Sequence, residues 1–308
     1  MPGVFPLRLR CVCYEEDCDV QVTFGPKVAR RVLRYELDRL CEQAGKTHAQ
    51  AGERLGMSRV GFTHLVSGKN LPSRPALEVL LDFFGRRDRV PVMLDLLAVA
   101  KLKPNQQGTV QQEVEATSSM NDFELFLGLE AVATSIEVFE PMLVTGLLQT
   151  EAYARELIAY HASITPGVNI VESLALRLRR QSVITRDANP AELWCVIEEQ
   201  ALRRPVGGPE VMAGQLDHLL AMTERPNINF QVIPREVGVH PALKGAFFLL
   251  RFDDDWRVAY EETRRAAYYY DNPEAVEDYG MVVNHLRHLT LNPKRSRAFI
   301  ARVRKDLQ

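Results

Sequence analysis

Apolar positions in the first hundred residues recur at helical spacing. From Pro26 onward, Val28, Val32, Leu33, Leu37 and Leu40 fall on one face, as a period near 3.6 requires. Pro26 suits a first helical position and Gly45 a C-terminal stop. Thr47 can N-cap a short helix running through Leu55, its hydroxyl accepting from free backbone N–H groups. Gly56 breaks that helix and permits a positive φ. Ser58 caps the next helix, from Arg59 to about Val66, and Gly68 ends it. Another helix follows Pro75, with Leu77, Val79, Leu80, Leu81 and Phe83 as its apolar set, and "VPVMLDLLAVAK" supplies one more.

The stretch from Lys103 to Asp122 is poor in large apolar residues and rich in Gln, Ser, Thr and Gly, which reads as a connector. Beyond it, "FELFLGLEAVATSIEVFE", "TEAYARELIAYHA", "IVESLALRLRRQSVITR", "GPEVMAGQLDHLLAMTER" and the segment after "DNPEAVEDYG" carry helical patterns. β-Branched and aromatic residues between turn signals mark "ELWCVIEE", "INFQVIP", "AFFLLRF" and "RVAYEE" as strands. The expected architecture is mainly α: a five-helix N-terminal bundle plus a C-terminal α+β domain with a small antiparallel sheet. The expected divisions are a disordered or loosely packed leader over 1–24, a helical domain over 25–102, a linker over 103–122 and a second domain over 123–308.

Charge changes this picture. The net charge of the 308-residue chain is −2, but Pro26 to Val90 holds 13 Lys and Arg against 7 Asp and Glu, a local +6 that leaves −8 for the rest. A basic module on an acidic body suits a small anion-binding unit attached to something else; a basic solvated helix face is the other reading. No apolar run is long enough to span a bilayer. The N-terminus lacks a continuous apolar segment and turns acidic at Glu15 and Glu16, so no secretory signal is expected. Five cysteines scattered through a large chain fit a reducing cytosol, and the expected localisation is cytoplasmic. Cys11, Cys13 and Cys18 lack an evident fourth ligand, so no metal is expected there.

The chemistry concentrates between Gly52 and Asn70. Ala51 and Leu55 on the first short helix can pack against Phe62 and Leu65 on the second, with Gly56 and Met57 in the turn. That packing leaves Arg59, Val60, Thr63 and His64 outside. An Arg can donate two hydrogen bonds to guanine O6 and N7, and Val60 can touch a thymine methyl. His48, Ser67 and Lys69 would suit phosphate contacts. Arg30, Arg31 and Arg34 would extend the phosphate footprint or keep the first helix soluble.

The segment "GKTHAQAGERLGMSRVGFTHLVSGKNLPSRPALEVLLDFFG" resembles the XRE (xenobiotic-response-element, Cro/repressor-like) helix-turn-helix family. Thr47 matches the cap, Glu53 to Gly56 the lead-in to the turn, and Ser58 the cap of the recognition helix. Arg59, Val60, Thr63 and His64 fall where that family reads bases, and Gly68, Lys69 and Pro72 match its terminating basic turn. "EVFEPMLVTGLLQTEAYARELI", "EEQALRRPVGGPEVMAGQLDHLLAM" and "NINFQVIPREVGVHPALKGAFFLLRF" resemble the C-terminal domain of a group of actinobacterial XRE-type regulators, described as antitoxin-like because a small partner protein is often encoded beside it. The resemblance implies a Cro/repressor-like fold for the bundle, double-stranded DNA as partner, a homodimer, and a C-terminal domain that senses a small partner protein or a small molecule. His48 in place of the family's usual Gln, Gly61 inside the recognition helix and Val66 in place of Glu depart from the pattern. They motivate an alternative: a relic helix-turn-helix carrying a small-molecule-binding module or an enzyme.

In the second half, Thr150 can cap a helix whose Tyr153, Leu157 and Tyr160 face the core, and Arg177, Arg179 and Arg180 form a solvated or salt-bridged face or an anion site. Glu198, Glu199, His240, Lys244 and Glu261 are the polar groups that could converge on a ligand, with Tyr269 in the aromatic run beside them. Singly, each reads as a loop or strand-end residue. There is no nucleophile elbow, phosphate-cradling glycine loop or HExxH, so no catalytic residue and no cofactor is assigned.

Overall fold

A computed structural model describes residues 21–23, 26–66, 70–101, 122–263 and 266–307. Most of the 1–24 leader, with Cys11, Cys13 and Cys18, lies outside the described residues, as do Ser67, Gly68 and Lys69 and nearly all of the 103–122 linker.

Five helices form the N-terminal part: α1 (Pro26–Gln43), α2 (His48–Arg54), α3 (Arg59–Val66), α4 (Arg74–Phe83) and α5 (Val90–Ala100). The apolar line read along α1 is buried in full, and Phe62, Leu77, Leu80 and Met93 close the core around it. Thr47 and Gln50 complete a capping box at α2, and Ser73 caps α4.

Among the described residues, eight helices of the C-terminal part surround a seven-stranded sheet, to which the N-terminal segment gives one edge strand. The strands are β1 (Gln21–Thr23), β2 (Ser135–Glu140), β3 (Glu192–Glu198), β4 (Ile228–Ile233), β5 (Phe247–Arg251), β6 (Arg257–Glu262) and β7 (Ala266–Tyr270), in the order β1-β7-β6-β5-β2-β3-β4. The helices are α6 (Asp122–Val132), α7 (Glu151–Ile164), α8 (Ile170–Arg180), α9 (Ser182–Thr185), α10 (Glu199–Arg203), α11 (Gly208–Met222), α12 (Pro273–Leu289) and α13 (Pro293–Lys305).

The sheet is mixed rather than antiparallel. β2, β3 and β4 run parallel, β5, β6 and β7 continue antiparallel from β2, and β1 adds a parallel edge on β7. The helices between β2 and β3 and between β3 and β4 supply the long crossovers that parallel neighbours need. Leu193 to Ile197 of β3 are buried on both faces, so the strand reads as a continuous apolar run instead of an alternation.

Two further expectations change. The segment "FELFLGLEAVATSIEVFE" is helical only to Val132; Ser135–Glu140 is β2, held between β3 and β5. Its Ile, Val and Phe at near-alternate positions satisfy the sheet, which overrides the helix preference of its glutamates. Tyr153 of α7 is fully buried as expected, but Tyr160 is 70% exposed.

One sheet face, with Ile136, Leu193, Phe230 and Tyr260, joins the same apolar cluster as the N-terminal helices. The other, with Phe139, Trp194, Leu249 and Ala259, is covered by Val276, Val283 and Leu286 of α12. Two contacts fix the first junction. A Cβ on Gly128 of α6 would lie 3.2 Å from the Tyr35 ring of α1, tighter than ordinary van der Waals contact, so a larger residue would have to displace that ring. The Arg31 guanidinium sits 4.2 Å from the Phe252 ring centroid and 5.0 Å from that of Trp256, with both Asp254 oxygens at 2.7 Å.

Beneath α1, Arg180 of α8 meets Glu130 of α6 through two hydrogen bonds of 2.7 and 2.8 Å. Arg180→Ala leaves a carboxylate only 2% exposed without its counter-charge. Its expected cost is about 3–5 kcal/mol, read as a lowered midpoint in urea denaturation; a concurrent Glu130→Leu should recover part of that loss.

Candidate nucleic-acid interface

The turn between α2 and α3 depends on two glycines. A Cβ on Gly52 would stand 2.9 Å from the Ser58 carbonyl oxygen and 3.0 Å from that of Met57, so α2 could not cross the turn at this distance with any larger residue. Gly56 takes φ +68°, where a side chain is strained. The Met57 N–H donates to Gly52 O at 2.9 Å and closes the turn.

Ser58 then starts α3, its Oγ accepting from the Gly61 N–H at 3.1 Å. Phe62, Leu65 and Val66 point inward. Arg59, Val60 and Thr63 are exposed on the opposite side, Val60 at 61%, and His64 is half-buried. The Thr63 hydroxyl donates to Arg59 O at 2.9 Å, which leaves its lone pairs available to an incoming donor. At the far end of α3 the Arg34 guanidinium of α1 donates to Val66 O at 2.9 Å, satisfying a helix-terminal carbonyl and setting the angle of α3.

Three arginines of α1 and the histidine of α2 are already engaged within the chain. Arg30 donates to Ala100 O at 2.7 Å, Arg31 holds Asp254, and Arg34 holds α3. Nε2 of His48 lies 2.8 Å from Asp38 Oδ1, and its ring meets Phe62 edge-on at 5.3 Å. His48 is thus a strut between α1 and α2.

The polar groups of the second half are only partly brought together. His240 Nε2 lies 3.2 Å from Glu198 Oε1, its ring edge-on to Phe139 at 5.6 Å, and its buried Nδ1 has no hydrogen-bond partner among the described residues. Gln200 donates to the second Glu198 oxygen at 3.1 Å. Glu199 instead pairs with Arg203 at 2.7 Å. Glu261 hydrogen-bonds Tyr279, whose phenol burial and that carboxylate push well above its ordinary range. Tyr269 packs on the opposite sheet face beside Tyr260, at 5.0 Å between rings, and Lys244 is exposed. Of these six candidate residues, Glu198 and His240 are the pair that meets.

One polar cluster gathers Arg177 with carboxylates that the sequence reading did not single out. Glu140, at the end of β2, is pushed from 4.5 up to about 7 by burial, against the pull of Arg177. Burial lowers Arg177 to about 10, and its Nη1 donates to the neutral Gln149 Oε1 at 2.9 Å. Glu262 adds a second carboxylate nearby and accepts from Tyr260 Oη at 3.1 Å. The second glutamate of "SIEVFE", directly after the buried Phe139, is the signal that marks it.

A short helix, a glycine-built turn and a capped second helix with an open outer face define a helix-turn-helix module, which points to a DNA-binding regulator. Residues 33–92 match a helix-turn-helix domain (HTH_31). Residues 123–302, more than half of the chain, match a domain of unknown function (DUF5753), and the chain belongs to that family. No curated protein and no solved structure matches it. Among the described residues no helix is long and apolar enough to cross a membrane.

Two outcomes follow from this geometry. The atoms nearest a Cβ at Gly61 belong to Met57, at ordinary contact distances of 3.4 Å or more, so Gly61→Ala should stabilise α3 by up to about 1 kcal/mol, visible as a higher Tm. Glu140 holds its proton more tightly folded than unfolded. Its stabilising contribution is therefore complete below about pH 4.5 and lost as pH rises through about 7. Urea titrations across that window should show a slope of up to about 1.4 kcal/mol per pH unit from this group, which Glu140→Gln removes.

Proposed function

We propose that this protein is a sequence-specific, XRE-type transcriptional regulator that acts on double-stranded DNA as a homodimer, with a C-terminal domain that senses a small partner protein or a small molecule. The observation that carries the proposal is the outward face of α3, where Arg59, Val60 and Thr63 are exposed beside His64 on a helix anchored from behind. A helix with one apolar and one polar face of this size fits the major groove. Arg59 reads guanine, Val60 meets a thymine methyl, and Thr63 and His64 contact neighbouring base edges. Ser58, at the helix start, contributes to phosphate anchoring together with Ser67 and Lys69. His48 acts by holding α2 in place. Two copies place their α3 helices about one DNA turn, roughly 34 Å, apart on a two-fold operator.

The alternative reading rests on the Glu198–His240 pair: a buried imidazole held by a carboxylate, with its other nitrogen unsatisfied, is a polar centre that a ligand could complete. In that reading Lys244 and Glu261 border the ligand and the helix-turn-helix is a relic. A small molecule co-purifying with the full chain, lost in His240→Ala, and no DNA retained from fragmented genomic DNA would favour it.

The regulator reading is tested by fluorescence anisotropy on a fragment recovered by pull-down from genomic DNA. Affinity should fall steeply with salt as phosphate contacts release counterions. Arg59→Ala should cost about 1–3 kcal/mol and relax preference at one base pair, whereas a phosphate contact such as Lys69→Ala should weaken all sequences alike. Equal affinity of the wild type for operator and scrambled duplex would refute sequence-specific regulation.

A further inference from the structure

We propose that the seam between the helix-turn-helix domain and the C-terminal domain is a binding site for a small organic phosphate ester. This deepens the small-molecule half of the reading above and rests on it. The seam holds a cavity of about 480 Å³, within the size range of small-ligand sites. Its walls come from both sides: Tyr35, Glu36 and Arg39 of α1 and Arg89 before α5 face Glu130 of α6 and Arg179 and Arg180 of α8.

The charge of this cavity is unbalanced. Among the described residues, five guanidinium groups, from Arg39, Arg89, Arg179, Arg180 and Arg186, line it against the two carboxylates of Glu36 and Glu130. Glu36 serves both Arg39, at 2.6 and 3.1 Å, and Arg89, at 3.6 Å. Glu130 is taken by Arg180. Arg179 has no ion pair among the described residues, and the Arg186 Nε donates only to a backbone carbonyl, Asn189 O at 2.9 Å. Arg179 and Arg186, both exposed at the mouth of the cavity, therefore have no carboxylate partner among the described residues, and their charge adds to that of the paired guanidiniums behind them.

A guanidinium presents a planar fork of donors that matches a phosphate in two-pronged contact. One phosphate ester group places close to two negative charges and three acceptor oxygens at a single point, which suits cations converging from several helices. Leu127, Leu176 and Val183 give the organic part an apolar wall. Tyr35, its phenol pushed up by burial, keeps its proton and is a donor at the rim.

The test is isothermal titration calorimetry of the full chain with phenyl phosphate, inorganic phosphate and citrate at fixed moderate salt. Phenyl phosphate should bind saturably and more tightly than either of the others. The exposed pair Arg179→Ala/Arg186→Ala, its fold checked by circular dichroism, should bind phenyl phosphate at least tenfold more weakly. Arg59→Ala, outside the cavity, should bind it as the wild type does. Tighter binding of citrate, equal binding by the double variant, or loss of binding in Arg59→Ala would each overturn the proposal. Anisotropy on operator DNA with the same preparation separates the two claims. DNA binding without phenyl phosphate binding sinks the seam site alone. Phenyl phosphate binding without DNA binding sinks the regulator and leaves the seam site standing.

Discussion

Helix α1 is enclosed on several sides, and everything else in the molecule is placed relative to it. Val32, Leu33, Leu37 and Leu40 make the core of the N-terminal bundle with α3 and α5, while Tyr35 and Val32 also receive α6 of the C-terminal part. A helix buried this widely cannot rotate without opening apolar surface on two sides, at about 25 cal/mol per Å². Its polar residues work under the same constraint. Arg30, Arg31 and Arg34 reach, in order, the end of α5, the β5–β6 loop and the end of α3. One helix therefore fixes the recognition helix on one side and the sheet domain on the other.

The sheet domain answers with charge as well as apolar surface. A buried, two-pronged pair such as Arg180–Glu130 tolerates little displacement of α8 against α6, because desolvated charges are stabilised only while their geometry holds. Burial works against the Arg180 charge, and the Glu130 carboxylate more than offsets it, so the guanidinium stays protonated. Arg177, one turn back, faces carboxylates without a direct ion pair among the described residues and carries the opposite shift. The same helix thus holds one satisfied cation and one poorly satisfied cation, a difference set by where Glu130 and Glu140 stand rather than by helix propensity.

How much of this is legible in the sequence follows from the range of the forces involved. The caps at Thr47, Ser58 and Thr150 act within three residues, and "T-x-x-Q" or a Ser before an apolar run reveals them directly. The inward set Phe62 and Leu65 follows from helical period alone. The parallel pairing of β2 with β3 does not, because register between strands separated by three helices is fixed only when the sheet assembles. "SIEVFE" illustrates the failure: its local pattern extends a helix, and only neighbours distant in sequence make it a strand. The site reading divides in the same way. The exposed side of α3 is a local property and was accessible. That His48 meets Asp38, or that Tyr269 and Glu261 fall on opposite sheet faces, depends on tertiary register.

These constraints bear on how the proposed seam ligand would act on the helix-turn-helix module. A ligand shifts an equilibrium only by the difference in its affinity for the two states. A site walled entirely by one rigid body offers little such difference for the motion of another. The seam cavity is walled by α1 and by α6 and α8 together, so any change in the angle between the parts changes the distances among Arg39, Arg179 and Arg180 and hence the affinity for an anion. The connection from there to the recognition helix is short and stiff: α1 carries Tyr35 and Arg39 at the cavity and Arg34 at the Val66 carbonyl within two helical turns. A seam ligand would act by altering how firmly α1 is held, and α3 moves only as far as α1 allows.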